Sequence, residues 1–321
     1  MPRRRAYQII TGAYRGICLQ DLQYVWRTQA YTPLTYARIA ANGLNVVRLA
    51  FNANHVQDTP NGALHQPYVT IIRDNLDWAH QNGLKVILDL HDFGRRVVNS
   101  VEYRYGDPQL TVESLADLWT KLVGEFDSHP AVIAYDVMNE CHDMPVQASP
   151  STYKTCSVAQ IHQQCINAIR GVGSGKTIIL SPDNWGNISN FFAAWSYGPN
   201  PDVWWNDPLN NIWFSVHTYF NWTNSGYYIG QDRFLNQPTG NNSTWIPHRA
   251  NQLKLLNAWT APRGLPIYIG EYNVHGDDGP YLNALEQFFE VANSIGANMT
   301  YWPFFDTDRP GGNLAIIKSN L

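Results

Sequence analysis

Charged residues are scarce in this sequence, and they are not concentrated in any one segment. They make up 15% of the 321 residues, whereas an average soluble domain has about 25%. The net charge is -4, and apart from three arginines at positions 3–5 the basic residues are scattered. A surface without a basic patch does not attract polyanions. We therefore expect neither a nucleic-acid partner nor an anionic membrane surface.

Long apolar runs are also absent. The chain has no run of 18 apolar residues, and this predicts that it has no transmembrane helix. Residues 6–12 are too polar for the core of a signal peptide. We therefore expect this to be a mature or trimmed chain.

Cysteine is rare, and its pattern leaves the redox compartment open. The four cysteines allow up to two disulfides among three pairings, and they fit free buried thiols equally well. They are Cys18, Cys141, Cys156 and Cys165.

The chain also lacks any linker rich in proline, glycine or serine, so one domain spanning residues 1–321 is predicted. Short apolar runs alternate with segments of helical periodicity, which is typical of parallel strands with helices outside. Eight such strands in one domain favour a (β/α)8 TIM barrel, with a doubly wound open sheet as the alternative. The predicted strands are 15–19, 45–50, 85–90, 132–138, 177–181, 212–216, 267–270 and 298–301.

Helices are predicted between these strands, and glycines mark where several of them end. Gly43, Gly83, Gly171 and Gly296 each follow a helical segment, where a left-handed residue closes a helix. Only 19 residues follow Trp302, so the eighth helix must be short or absent. The predicted helices are 33–42, 68–82, 112–126, 158–171, 247–260 and 281–295.

Aromatic residues are plentiful, with 12 Trp, 18 Tyr and 12 Phe. Together with the low charge, they suit a surface that binds uncharged, ring-shaped ligands. Residues 182–211 and 220–245 are too long for simple connections and are predicted to be loops at the carboxyl ends of strands five and six. We expect only Trp185 and one or two other loop aromatics to contact a ligand. These loops hold Trp185, Trp195, Tyr197, Trp204, Trp205, Trp222, Tyr227, Tyr228 and Trp245.

Two glutamates close buried strands. Asn139-Glu140 ends the apolar run 131–138, and Gly270-Glu271 ends the run 265–269. Burying an ionised carboxylate is costly unless it is paired or used. Each glutamate alone could cap a helix or pair with an arginine, but two such residues suggest the acid and the nucleophile of a glycoside hydrolase.

The other predicted strands also end in polar or aromatic side chains, which a barrel brings to one face. Arg48 is the natural cation to keep one glutamate ionised while the other holds its proton. The remaining strand-end residues are His91, Asp92, Asp183, Asn184, His217, Tyr219 and Trp302.

The order and spacing of these residues resemble glycoside hydrolase family 5 over nearly the whole chain. Met138-Asn-Glu140 with His142-Asp143, and Asp89-Leu-His91, look like its cellulase subgroup. The resemblance implies that Glu140 is the acid/base and Glu271 the nucleophile of a retaining hydrolysis. It also implies supporting roles, in which Arg48 and Tyr219 orient Glu271, Asn139 binds the sugar's 2-hydroxyl, His217 neighbours the acid, and His91 with Trp302 lines the subsite.

One departure from that family stands beside the acid, where Cys141 replaces the usual proline. The resemblance implies that the partner is a β-linked polysaccharide or oligosaccharide, and that the bond cleaved is that of a β-1,4-glucan. The protein is expected to be a secreted monomer, with the cytoplasm as an alternative location. A β-mannanase, a xylanase, an exo-acting β-glycosidase and a non-catalytic carbohydrate-binding protein are the alternatives. No cofactor and no metal are expected, since Asp89-x-His91-Asp92 lacks a companion ligand motif.

Overall fold

The computed structural model describes residues 12–149, 151–189, 191, 202–221, 224, 226, 246–274 and 279–303. Within these residues eight parallel strands close into a barrel, in the order β1-β10-β9-β8-β7-β6-β3-β2, and a hairpin, β4-β5, stands apart. The barrel strands are β1 Arg15–Leu19, β2 Val46–Phe51, β3 Lys85–Leu90, β6 Val132–Asp136, β7 Thr177–Leu180, β8 Ile212–Tyr219, β9 Ile267–Asn273 and β10 Asn298–Tyr301. The hairpin strands are β4 Arg95–Val98 and β5 Val101–Arg104.

Helices lie between the barrel strands, as the sequence predicts. Pro33 begins α2 behind a capping box formed by Thr32 and Thr35. Among the described residues, no helix is both long and apolar enough to span a bilayer. The helices are α1 Asp21–Tyr24, α2 Pro33–Ala41, α3 Ala53–Val56, α4 Gln66–Gln81, α5 Val112–Phe126, α6 Ser157–Gly171, α7 Ile246–Thr260 and α8 Gly279–Ser294, with a 3-10 turn at Ala261–Arg263.

The glycine signals hold at three of the four helix ends. Gly43, Gly83 and Gly296 adopt left-handed backbone angles, with φ of +82°, +71° and +66°. Gly171 instead remains inside α6, and Gly173 takes the left-handed conformation at φ +87°. The helix runs through Gly171 because glycine permits a left-handed angle without requiring one.

The (β/α)8 prediction is confirmed, and a closed barrel replaces the open-sheet alternative. All eight predicted strands are present, although β8 and β9 run three residues beyond their predicted ends at 216 and 270. They extend because His217 pairs with Glu271, and Tyr219 with Asn273, in the parallel ladder. The predicted final-helix region lies mostly outside the described residues, and the single domain over 1–321 stays a prediction.

Side chains inside the barrel lie in layers, since every second residue of a strand points inward. An apolar layer contains Val46, Ile87, Ala134, Ile179 and Tyr268. Two residues further along their strands come Arg48, Asp89 and Asp136, all buried. The barrel interior therefore changes from apolar to charged toward the carboxyl ends of the strands.

Candidate active site

The two glutamates singled out in the sequence meet at the carboxyl end of the barrel. Glu271 lies within β9, and Glu140 follows the end of β6 at Asp136. A carboxylate oxygen from each lies within 4.8 Å of the other, and both lie within that distance of a His217 ring nitrogen. This spacing suits the retaining class, whose carboxyl groups are about 5–5.5 Å apart.

Glu271 is surrounded by donors. Arg48 Nη1 donates to its Oε1 at 2.8 Å, and the Tyr219 hydroxyl donates to its Oε2. Burial opposes its ionisation, but the charges of His217 and Arg48 outweigh burial and lower the pKa of Glu271 to about 2. Glu271 is therefore an ionised carboxylate, which a nucleophile must be.

Glu140 has the opposite character. It occupies a left-handed turn at φ +42°, and its side chain is 13% exposed against 3% for Glu271. Burial and the neighbouring charge of Glu271 raise the pKa of Glu140.

His217 Nδ1 lies 2.5 Å from Glu140 Oε1. Burial lowers the pKa of His217, but the two glutamates outweigh this and leave it raised. Glu140 and His217 thus form a unit that can hold a proton beside an ionised carboxylate.

Asn139 and His91 continue the hydrogen-bond network from Arg48. Arg48 Nη2 donates to Asn139 Oδ1 at 2.7 Å, and Asn139 Nδ2 lies 2.9 Å from His91 Nε2. His91 Nδ1 lies 2.7 Å from Asp89 Oδ2, so the ring bridges Asp89 and Asn139. The same ring stacks on Trp302 with centroids 4.9 Å apart and planes 7° apart.

Trp185 presents an aromatic face at the rim. It is 43% exposed and stacks on His142, with ring centroids 3.5 Å apart and planes 10° apart. Its backbone N–H donates to Cys141 O at 3.1 Å, and its φ of +66° is left-handed. For a bulky residue this conformation costs about 1–2 kcal/mol, and such strain concentrates at binding sites.

Other loop aromatics do not share that position. Trp204 and Trp205 are buried, and Trp204 Nε1 donates to His162 Nδ1 at 2.9 Å. Both rings pack against Phe214, so these two tryptophans belong to the core. The predicted loop aromatics Trp195, Tyr197, Trp222, Tyr227, Tyr228 and Trp245 lie outside the described residues.

The structure also brings in residues that the sequence reasoning left without a role. Asp136 contacts Arg48 through its Oδ2, and Asp89 Oδ1 lies 3.2 Å from the same guanidinium. A charged residue inside the apolar run 131–138 was the available signal for Asp136. For His142 the sequence offers only its place after Glu140, and nothing in that spacing indicates the stack on Trp185.

The four cysteines are buried and free, so none of the three possible pairings is formed. Cys141 keeps 2% of its surface exposed and packs its sulfur against the backbone at Gly94. The thiol that replaces the family's usual proline is therefore a core side chain that faces away from solvent.

Within the part of the chain that the structure describes, Glu140, His217 and Glu271 make the single group spaced to hold a metal ion. Four of the atoms that could bind a metal already form hydrogen bonds. Both oxygens of Glu271 accept hydrogen bonds, and His217 Nδ1 bonds to Glu140. Arg48 adds a positive charge at the same point, so the group suits proton chemistry better than cation binding. The absence of a metal stays a prediction.

A closed (β/α)8 barrel with paired glutamates at the carboxyl ends of its strands is an architecture of glycoside hydrolases. Residues 11–307 match the family described as cellulase, glycosyl hydrolase family 5. The chain belongs to this family, which confirms the resemblance seen in the sequence.

Relatives within the family are distant. The probable endo-β-1,4-glucanase B of Aspergillus oryzae is 26% identical over 211 residues, which cover 64% of this chain and 56% of that protein. Endoglucanase 1 of a Robillarda species is 25% identical over 256 residues, or 72% of this chain and 57% of that protein. The chain thus spans little more than half the length of these relatives.

A solved structure shares the fold along nearly the whole chain. The Pseudomonas stutzeri endoglucanase Cel5A in complex with cellobiose has a TM-score of 0.77 at 22% identity. The match covers 96% of this chain and 92% of that one. At this identity the likeness supports the barrel fold alone.

Proposed function

We propose that this chain is a retaining endo-β-1,4-glucanase that acts by double displacement. One observation carries the proposal: two glutamates within 4.8 Å of one another, one with a lowered pKa and the other with a raised pKa. Opposite pKa shifts in two adjacent carboxyl groups assign a nucleophile and an acid. Family membership and the names of the relatives supply the substrate class.

In the first step Glu271 attacks the anomeric carbon, and Glu140 gives its proton to the departing glycosidic oxygen. The products are a covalent glycosyl ester on Glu271 and a shortened glucan chain with a free hydroxyl. Arg48 and the Tyr219 hydroxyl hold the Glu271 carboxylate in place. Positioning of this kind lowers the barrier because the reacting atoms need no further ordering.

In the second step Glu140 takes a proton from water, which then attacks the ester. Forming the ester removes the negative charge of Glu271, one of the two causes that raise the pKa of Glu140. The pKa of Glu140 must therefore fall once the intermediate forms. The same residue becomes a base when a base is needed.

The surrounding side chains would bind the sugar. Asn139 Nδ2 has a second hydrogen beyond its contact with His91, and this hydrogen is free for the sugar's 2-hydroxyl. The stacked pair of His91 and Trp302 would line the subsite of the sugar being cleaved. Trp185 would stack on the neighbouring ring, a contact worth on the order of 1 kcal/mol.

Hydrolysis assays on carboxymethylcellulose, mixed-linkage glucan, glucomannan, xylan and aryl glycosides test the substrate. We expect shortened glucan chains from the first two polymers. We also expect the enzyme to be monomeric and extracellular. Mannose or xylose products without products from cellulosic substrates would reassign the specificity to a mannanase or a xylanase. Single sugars or dimers released from chain ends would indicate exo action.

Stereochemistry and covalent trapping test the mechanism. Proton NMR of the first product should show the β-anomer, and a 2-deoxy-2-fluoro-β-cellobioside with an activated leaving group should add its sugar mass to Glu271. Inversion at the anomeric carbon would remove the double-displacement mechanism. Binding of cellulosic chains without hydrolysis would support the carbohydrate-binding alternative.

A further inference from the structure

Two aspartates face each other inside the barrel. Asp89 on β3 and Asp136 on β6 are register partners in the parallel ladder, and they are 0% and 1% exposed. Like charges on neighbouring strands repel, and a buried carboxylate is costly unless it is compensated. The apolar layer just below shows that these strands can fill the barrel with aliphatic side chains. Stability alone therefore does not explain the pair.

One guanidinium serves both aspartates and the proposed nucleophile. Asp136 Oδ2 accepts from Arg48 Nε at 3.1 Å and from Nη2 at 2.9 Å. Asp89 Oδ1 lies 3.2 Å from Nη2, and Nη1 donates to Glu271 at 2.8 Å. Asp136 thus holds one edge of the planar guanidinium, which leaves the Nη1 corner directed at Glu271.

The charges in this layer do not cancel. Asp89, Asp136 and Glu271 all pair with the one guanidinium of Arg48, and burial raises the pKa of Asp136 to about 6, so Asp136 carries its negative charge above that pH. Each additional carboxylate raises the pKa of the acids around it, because a nearby negative charge disfavours ionisation. Asp136 contacts Arg48 on β2 and lies beside Asp89 on β3, and it interacts electrostatically with His217 on β8 and Tyr268 on β9. Asp136 therefore acts on His217 as well as on Arg48, and His217 is hydrogen-bonded to Glu140.

We propose that Asp136 is a positioning residue for the hydrolysis, which orients Arg48 toward Glu271 and, through its negative charge, helps to keep the Glu140–His217 unit protonated. This inference rests on the proposed function. It gives Asp136 two separable contributions, a hydrogen-bond acceptor and a charge. Substitutions can remove the charge alone or both together.

Asp136→Asn removes the charge and keeps an oxygen that can accept from Arg48. Without that negative charge, the pKa of the Glu140–His217 unit falls, so the basic limb of the kcat/KM profile should move to lower pH by about 0.5 unit or more. Asp136→Leu removes both the charge and the acceptor and keeps the branched shape of the side chain, while Arg48 retains Asp89 and Glu271 as counter-charges. It should show the same displacement and, because Arg48 loses its clamp, trap the fluorosugar at least about tenfold more slowly.

A matched control lies elsewhere in the chain. Asp207 is buried and accepts from Arg170 Nε and Nη2 at 2.8 and 3.0 Å. Asp207→Asn breaks an equivalent aspartate–arginine pair outside the layer that contains Arg48. It should lower the unfolding midpoint and leave both limbs of the pH profile in place.

The experiment measures kcat/KM against pH on an activated aryl β-cellobioside and the rate of covalent trapping, for the wild type and all three variants. Wild-type protein that forms no covalent adduct would overturn the proposed function itself. The inference about Asp136 alone would be overturned by a different result. In that case the wild-type protein forms the covalent adduct, but the Asp136 variants keep its basic limb and its trapping rate. If Asp136→Asn does not accumulate as folded protein, Asp136→Leu gives the same pH reading, since it removes the same charge.

Discussion

Replacing Tyr219 by phenylalanine should raise the pKa of Glu271 with little other change. The hydroxyl donates to Glu271 Oε2 and would be lost, while the ring should stay where it is. That ring is buried and packs against Gly226, where a Cβ would come within 2.9 Å of it. The backbone N–H of Tyr219 donates to Asn224 Oδ1 at 2.6 Å, a contact that phenylalanine keeps.

The size of the effect follows from the hydrogen bond. A hydrogen bond to a charged group contributes about 1.5–3 kcal/mol, and one pKa unit corresponds to about 1.4 kcal/mol. The donor stabilises the ionised form, so its loss raises the pKa. From a value of about 2, the pKa of Glu271 should rise by about 1–2 units. The acid limb of kcat/KM, which would report ionisation of the proposed nucleophile in the free enzyme, should move to higher pH by the same amount.

The assay is the pH dependence of kcat/KM on an aryl β-cellobioside, recorded with an unfolding midpoint at each pH. Tyr36→Phe is the matched control. Its hydroxyl donates to Asn75 Oδ1 at 2.6 Å between α2 and α4, so its loss should cost stability and leave the profile unchanged. Coincident acid limbs for Tyr219→Phe and the wild type would refute the assigned role of the phenol.

Three further substitutions address other parts of the site. Arg48→Met leaves buried carboxylates uncompensated, so the free energy of unfolding should fall by about 3–5 kcal/mol. The acid limb of the kcat/KM profile should also move to higher pH. An unchanged urea midpoint and an unchanged pH profile would contradict this. Glu140→Ala should cost about 10²–10⁴ in rate on cello-oligosaccharides and less on activated aryl glycosides, which need less protonation; equal losses on both would remove its role as acid. Trp185→Ala should raise KM for cellopentaose about fivefold and leave KM for an aryl glycoside nearly unchanged. Equal KM values of wild type and variant for cellopentaose would contradict the stacking contact.

The barrel could be predicted because its signals are local. Apolar runs of strand length, helical periodicity between them and glycines at helix ends all lie within a few residues of one another. The hairpin β4–β5 went unpredicted, and its turn uses Asn99 and Ser100 at φ +51° and +66°. Asn and Ser tolerate left-handed angles, but they predict such angles less strongly than glycine does. The predicted ends of β8 and β9 fall three residues short, because the polar residues that follow still belong to the ladder.

The sequence by itself determined which residues could do the chemistry. Glu140, Glu271 and Arg48 each stand where an ionisable side chain ends or interrupts an apolar strand, and the cost of burying charge makes such positions informative. Closure of the barrel decided how these residues interact. Only the register places Asp89 beside Asp136 with one guanidinium between them, and only the packed loops stack His142 on Trp185. The pKa of each carboxyl group depends on such distances, which join residues far apart in the chain and so cannot be read from their order.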